Sequence, residues 1–219
     1  MVWRRITKGL HTRAHKRART LKAFADSIGL VYFGRMHQHE DEYDAIRGFT
    51  ASLTHTDSHY AVGTYNGFNI RLVDRSDRVS APSGHTRHHQ WILFEVDLEL
   101  PDVPHLFFVP TGHTEGSYHQ LFTAQPHLQP INSLLSHHSP EFHGRYQILA
   151  RATHLHKIEE LFTSPLIVGI GARFWPHAIE LHHSKLYVYL PGAAISKTLL
   201  ETTMAATLWL ANTLSPREE

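Results

Sequence analysis

The chain has 219 residues, 42% of them hydrophobic and 19% charged, and no cysteine. That composition excludes disordered, collagen-like and repeat proteins, and the missing thiols exclude a disulfide framework, a Cys nucleophile and Cys-ligated metal sites. The net charge of +1 hides an asymmetry: residues 1–25 hold eight of the 21 Lys and Arg and none of the 20 acids, which gives +8 there and −7 over the rest.

No window reaches the roughly 18 apolar residues that a membrane-spanning helix requires. At the N-terminus, Val2, Trp3, Ile6, Leu10, Ala14, Leu21 and Phe24 follow the three-four spacing of one helical stripe, and bases fill the other faces. Residues 1–25 are therefore predicted to form a basic amphipathic helix, set before a single α+β domain at 26–215 and a tail at 216–219. With no apolar signal region, the arm is not a secretory leader.

Its candidate contacts to an anionic surface are Trp3 in the interface and the bases Arg4, Arg5, Lys8 and Arg13, continued by Lys16, Arg17, Arg19 and Lys22. Each base near anionic lipid adds about 1 kcal/mol. The readings, in the order the composition favours them, are a solvated helix docked on the body, a lipid-surface helix, a nucleic-acid arm and an organellar presequence.

Residues 21–28 complete the helix, Gly29 stops it and 30–33 form a short strand. Residues 34–42 read as a His-rich loop, and 44–53 as a short helix or irregular crossover. Two strands at 59–65 and 68–74 flank Asn66-Gly67, which suits a type I′ turn because that turn needs positive φ at both central positions. Residues 74–89 lack periodicity and read as a flexible loop. Residues 90–100 alternate, with Trp91, Leu93, Glu95, Asp97 and Glu99 on one side, predicting an antiparallel strand with one wet face. Pro101 and Pro104 end it, and 105–109 form a short strand closed by Pro110.

Residues 111–139 read as connection, followed by a strand at 146–150. Thr153 caps a helix through Ile158, Leu161 and Phe162 that stops near Pro165 or runs on to Gly169 and Gly171. Residues 178–181 and 185–190 form a second hairpin around 182–184, and Ser196 caps a final helix with Leu200, Met204 and Leu208 on one face. Hairpins with helices at the ends predict an α+β fold: an antiparallel sheet with helices packed on one face.

Several short motifs stand in a fixed order: Gly63-Thr64-Tyr65-Asn66-Gly67, then Val73-Asp74, Leu100-Pro101, Ser139-Pro140-Glu141-Phe142 with Tyr146, Leu161-Phe162-Thr163 and Ile179-Glu180. This order, spanning residues 20–215, resembles an uncharacterised bacterial family, a domain of unknown function whose members often carry transmembrane helices before a cytosolic α+β domain. The resemblance implies the same fold and brings no catalytic residues. The basic arm stands where those helices would end.

Histidine is the compositional outlier, its 21 copies equalling Lys and Arg together. A zinc-like site needs three or four N or O donors at about 2.0–2.2 Å. Candidate groups are His11 with His15; His37, His39 and Glu40; His85, His88 and His89; His137 and His138; His154 and His156; and His177, Glu180, His182 and His183. The metal reading selects His85, His88, His89, His177, Glu180 and His182. No group matches H-E-x-x-H, and adjacent strand residues point to opposite faces, so replacement of other polar residues by His is the simpler account. An imidazole opposite Glu95, Asp97 or Glu99 would supply an acid–base pair, but a plain exposed acidic face explains those acids more simply.

Imidazoles titrating near about 6.5 would bring the charge to about +11 at that pH. Binding to anionic vesicles or nucleic acid is therefore expected to rise between about pH 7.5 and 6. The sequence reads as a cytosolic, non-enzymatic interaction domain with a protein partner, held at the inner membrane surface by residues 1–22. The alternatives are a His-dependent protein, of the hydrolase kind, with a divalent metal cofactor, and nucleic-acid binding through the arm.

Overall fold

A computed structural model describes residues 3–34, 55–80, 86–101, 103–112, 127–131, 139–192 and 194–216, with residues 3–13, 78–80 and 86–87 described by backbone. Helix α1 (Trp3–Ser27) leads into β1 (Val31–Gly34), β2 (Thr56–Tyr65), β3 (Phe68–Ser80), β4 (Thr86–Asp97), β5 (Leu106–Pro110) and β6 (Gln129–Pro130). Then follow α2 (Pro140–Arg145), β7 (Tyr146–Ala150), a 3₁₀ turn at Ala152–His154, α3 (Leu155–Leu161) and α4 (Ser164–Phe174). Strands β8 (Ala178–His182) and β9 (Lys185–Pro191) precede the final helix α5 (Lys197–Leu214).

Among the described residues nine strands make one antiparallel sheet in the order β1-β2-β3-β4-β9-β8-β5-β7-β6. The helices pack on one face of it. Leu21, Phe24 and Ala25 of α1, Phe142 of α2, Ile158 of α3, Ile167 of α4 and Leu200 of α5 share a core with Ile92, Phe94, Ile179, Leu181, Val188 and Leu190 of the sheet. Full burial of a side chain such as Phe24 contributes about 2–3 kcal/mol. The α+β class and the one-sided helical layer agree with the sequence reading. No helix among the described residues is long and apolar enough to cross a membrane.

Both hairpin turns take positive φ at their central positions, Asn66 and Gly67 in one and His183 and Ser184 in the other. The segment read as a flexible loop at 74–89 is instead largely sheet, since β3 runs to Ser80 and pairs through Ser80↔Thr86 with β4. Its polar residues hid it. Asp74 and Arg75 are buried in ion pairs, Arg75 with Asp57 through two bonds of 2.7 Å and Asp74 with Arg17. An alternating apolar pattern is not needed where charges are buried in pairs.

The wet face expected on β4 is also a correction. Trp91, Leu93 and Glu95 are buried, and with Phe107, Leu149, Tyr187 and Tyr189 they belong to a second buried layer opposite the helices. The helix after Thr153 breaks at Phe162–Thr163 and restarts as α4, with Pro165 in its first turn, where a missing N–H costs nothing. Ser139 caps α2 by accepting from the Phe142 N–H at 3.2 Å, an element the sequence reading passed over. The segment 44–53 lies outside the described residues.

Candidate functional site

The pleat of the central strands sorts their side chains strictly. Ile179 and Leu181 of β8 join the helical core, so Glu180 and His182 face the other way; on β9, Leu186 and Val188 join it, and Lys185, Tyr187 and Tyr189 face away. The same alternation turns Glu95 and Asp97 of β4, and His105 just before β5, to the face opposite the helices. Register aligns Glu95, Tyr187, Glu180 and Phe107 in one row across four strands.

One end of this row is ionic. Glu95 is fully buried and accepts from Arg71 Nη1 at 2.8 Å and Lys185 Nζ at 2.6 Å, and Arg71 also donates to Asp97 at 3.0 Å. The other end is built of imidazoles. Buried Glu180 meets His105 Nε2 through Oε1 at 2.9 Å and accepts the Tyr189 hydroxyl through Oε2. His105 Nδ1 lies 3.1 Å from His127 Nε2, and the His105 ring stacks on His182 with centroids 4.0 Å apart. His182 stacks in turn on His183 at 3.7 Å.

Three donor atoms, one each from His105, Glu180 and His182, lie within 4.8 Å of one another. Burial first, then His105 and its neighbours, hold His182 down at about 4, and burial with His105 and Arg151 lowers His127 as well. Tyr187, between the two carboxylates, is pushed far up by burial and then by Glu95 and Glu180. His182 is thereby a neutral donor at neutral pH, the form that metal coordination needs. The donor set of two imidazoles and a carboxylate fits a divalent transition ion.

The residues named from the sequence scatter. Glu180 and His182 come together, but His177 sits on the helical face, 3.4 Å from Thr203 Oγ1, where burial lowers it to about 4. His89 stacks on Trp91, His88 is exposed, and His85 lies outside the described residues. Glu99 is exposed. His15 is exposed on α1, and His156 pairs with Glu160 at 3.2 Å. His37, His39, Glu40, His137 and His138 lie outside the described residues, and His11 is described by backbone.

His105 and His127 were missed, because 75 residues separate His105 from Glu180 and only the short strand read at 105–109 gave a signal.

On α1, Trp3, Arg4, Arg5, Lys8 and Arg13 occupy the N-terminal half of a continuous helix. Lys16 and Arg19 are exposed, and Lys22 forms an exposed pair with Asp26 at 2.7 Å. Arg17 is different: its guanidinium binds both oxygens of buried Asp74 and donates to Gly192 O at 2.6 Å. It fastens the helix to the body and is no free surface charge.

No family model matches the chain, and no curated protein matches its sequence. Among solved structures, the fold is similar to that of the mycobacterial trehalose monomycolate transport factor A, TtfA, with a TM-score of 0.61 and 11% identity over 92% of this chain and 98% of that one. At that identity the likeness establishes shared architecture along nearly the whole chain.

Proposed function

We propose that this protein is a non-catalytic accessory factor that presents its α+β body to a protein partner at an anionic membrane surface, in the manner of a lipid-transport factor. The transport role enters by analogy of fold with TtfA, a transport factor; fold alone does not carry function. The surface role rests on α1. Arg17 ties that basic helix to Asp74 of β3 and to Gly192 after β9, and Leu21, Phe24 and Ala25 bury its last turns. A helix so fixed sets the orientation of the whole sheet when its bases meet lipid headgroups, which a flexible basic tail would not do.

Co-sedimentation of the full chain with vesicles tests this. Binding is expected with phosphatidylglycerol-containing vesicles and not with phosphatidylcholine alone. Reversing Arg4, Arg5 and Lys8 to Glu removes about 3 kcal/mol of attraction at least, or more than about 100-fold in affinity. Equal sedimentation of variant and parent would overturn the surface role. Tighter binding to duplex DNA than to these vesicles, with a steep salt dependence, would transfer the arm to nucleic acid.

A further inference from the structure

The imidazole end of the polar row lies on the face opposite α1 and has no part in surface attachment. We infer that His105, Glu180 and His182 bind one divalent transition-metal ion of the zinc class, through two imidazole nitrogens and one carboxylate oxygen, with a further coordination position left open. Three donors around a four-coordinate ion of this size sit about 3.4 Å apart. Here they already lie within 4.8 Å of one another, and the ion takes the place of the 2.9 Å His105–Glu180 hydrogen bond as the stacked His105 and His182 rings tilt toward it.

The backbone favours this arrangement. Glu180 and His182 are alternate residues of β8, and His105 precedes β5, the neighbouring strand, so a paired ladder fixes the spacing of the donors. Electrostatics favour it as well. Glu180 receives a phenol and an imidazole where Glu95 receives a guanidinium and an ammonium, so a cation beside Glu180 places its charge next to a buried carboxylate.

Outer partners are in place too. The Tyr189 hydroxyl holds Glu180 Oε2 and leaves Oε1 toward the centre, and His127 at His105 Nδ1 leaves His105 Nε2 as the ligating atom. Two nitrogen donors disfavour magnesium and calcium, and the absence of cysteine disfavours copper(I). Three protein ligands rather than four are the pattern of metal sites that keep a place for water or a ligand.

The test uses the full chain without an affinity tag, stripped with a chelator. Zinc chloride is titrated against a chromophoric chelator, and cobalt(II) serves as a spectroscopic probe. One equivalent of tightly held zinc is expected, together with the intense visible absorption of four- or five-coordinate cobalt. His182→Ala, at the half-buried end of β8, should weaken zinc by more than about 100-fold and abolish the cobalt band. Tyr189→Phe should weaken it about tenfold, in the range for an outer-sphere partner.

His88→Ala and His156→Ala, which remove exposed imidazoles elsewhere, should change neither readout. Circular dichroism of His182→Ala confirms that the fold is retained; if it is not, His182→Gln carries the same test. Zinc bound equally by the His182 variant and the parent, a cobalt spectrum of the weak six-coordinate kind, or loss of binding in the His88 and His156 controls would each overturn the site and mark the binding as diffuse. Vesicle binding is a separate measurement, so either proposal can fail alone.

Discussion

Glu95 and Glu180 occupy one row of the same sheet, on either side of Tyr187, and both are buried, yet they are met by opposite chemistry. Arg71 and Lys185 neutralise Glu95 with permanent charges drawn from the adjacent strands β3 and β9. Glu180 is met by the Tyr189 hydroxyl and the His105 imidazole. The first is a cluster of fixed opposite charges at the middle of the sheet. The second is the centre proposed above to take a metal ion.

The comparison breaks most visibly in the pair Glu95→Gln and Glu180→Gln. Removing the charge at Glu95 leaves two cations facing an amide and should cost about 3 kcal/mol, at the low end for a broken buried pair because Asp97 still reaches both cations. The same change at Glu180 keeps an amide within reach of Tyr189 and His105 and should cost about 1 kcal/mol in the metal-free protein. Chemical denaturation of both variants measures this, and equal losses would show that the two carboxylates are alike.

Acid should act on the imidazole end through His182. His182 has its folded-state value depressed to about 4 against an unfolded 6.5, so the unfolded chain binds the proton first and stability falls as pH drops from about 6.5 toward 4. His177, on the helical face, shifts the same way by burial and adds about 2 kcal/mol of loss between pH 7 and 5. Urea unfolding across that range should show a slope that flattens in His182→Gln and in His177→Gln. A slope unchanged by either would remove these groups from the acid response. Both also drop out of the charge gain expected near pH 6.5, so acid-enhanced vesicle binding has to come from other imidazoles.

Tyr189→Phe should also lower stability, by an amount between those of the two carboxylate variants. It removes a hydroxyl donated to a buried carboxylate, worth about 1.5 kcal/mol. A loss that disappears when zinc is added would link the hydroxyl to the same centre, and a loss indifferent to zinc would confine it to the core.

The legible parts of the fold were those in which a local rule acts alone. Asn66-Gly67 specified a turn by its φ requirement, and the alternation along β4 specified a strand. The end of β3 was illegible because Asp57, Asp74 and Arg75 place paired charges where a pattern reader expects apolar side chains. Chain proximity misled in the same way for histidine. His177, Glu180 and His182 look like one group in sequence, but the pleat sends His177 toward α5 and the other two toward His105. Two of the three donors therefore came from neighbours in sequence, and the third from a segment that only folding brings alongside.

A last consequence concerns Arg17 as a mechanical element. The helix that precedes it, residues 3–16, extends about 21 Å at 1.5 Å per residue. Its three hydrogen bonds grip β3 and the end of β9, strands separated by β4, so they span the sheet and do not hang on one strand. Gly192 permits this grip, because a Cβ there would lie 2.4 Å from Gln90 O. Sideways load on the tip of α1 would thus be felt as torque at a fulcrum on the sheet, with two strands sharing the force.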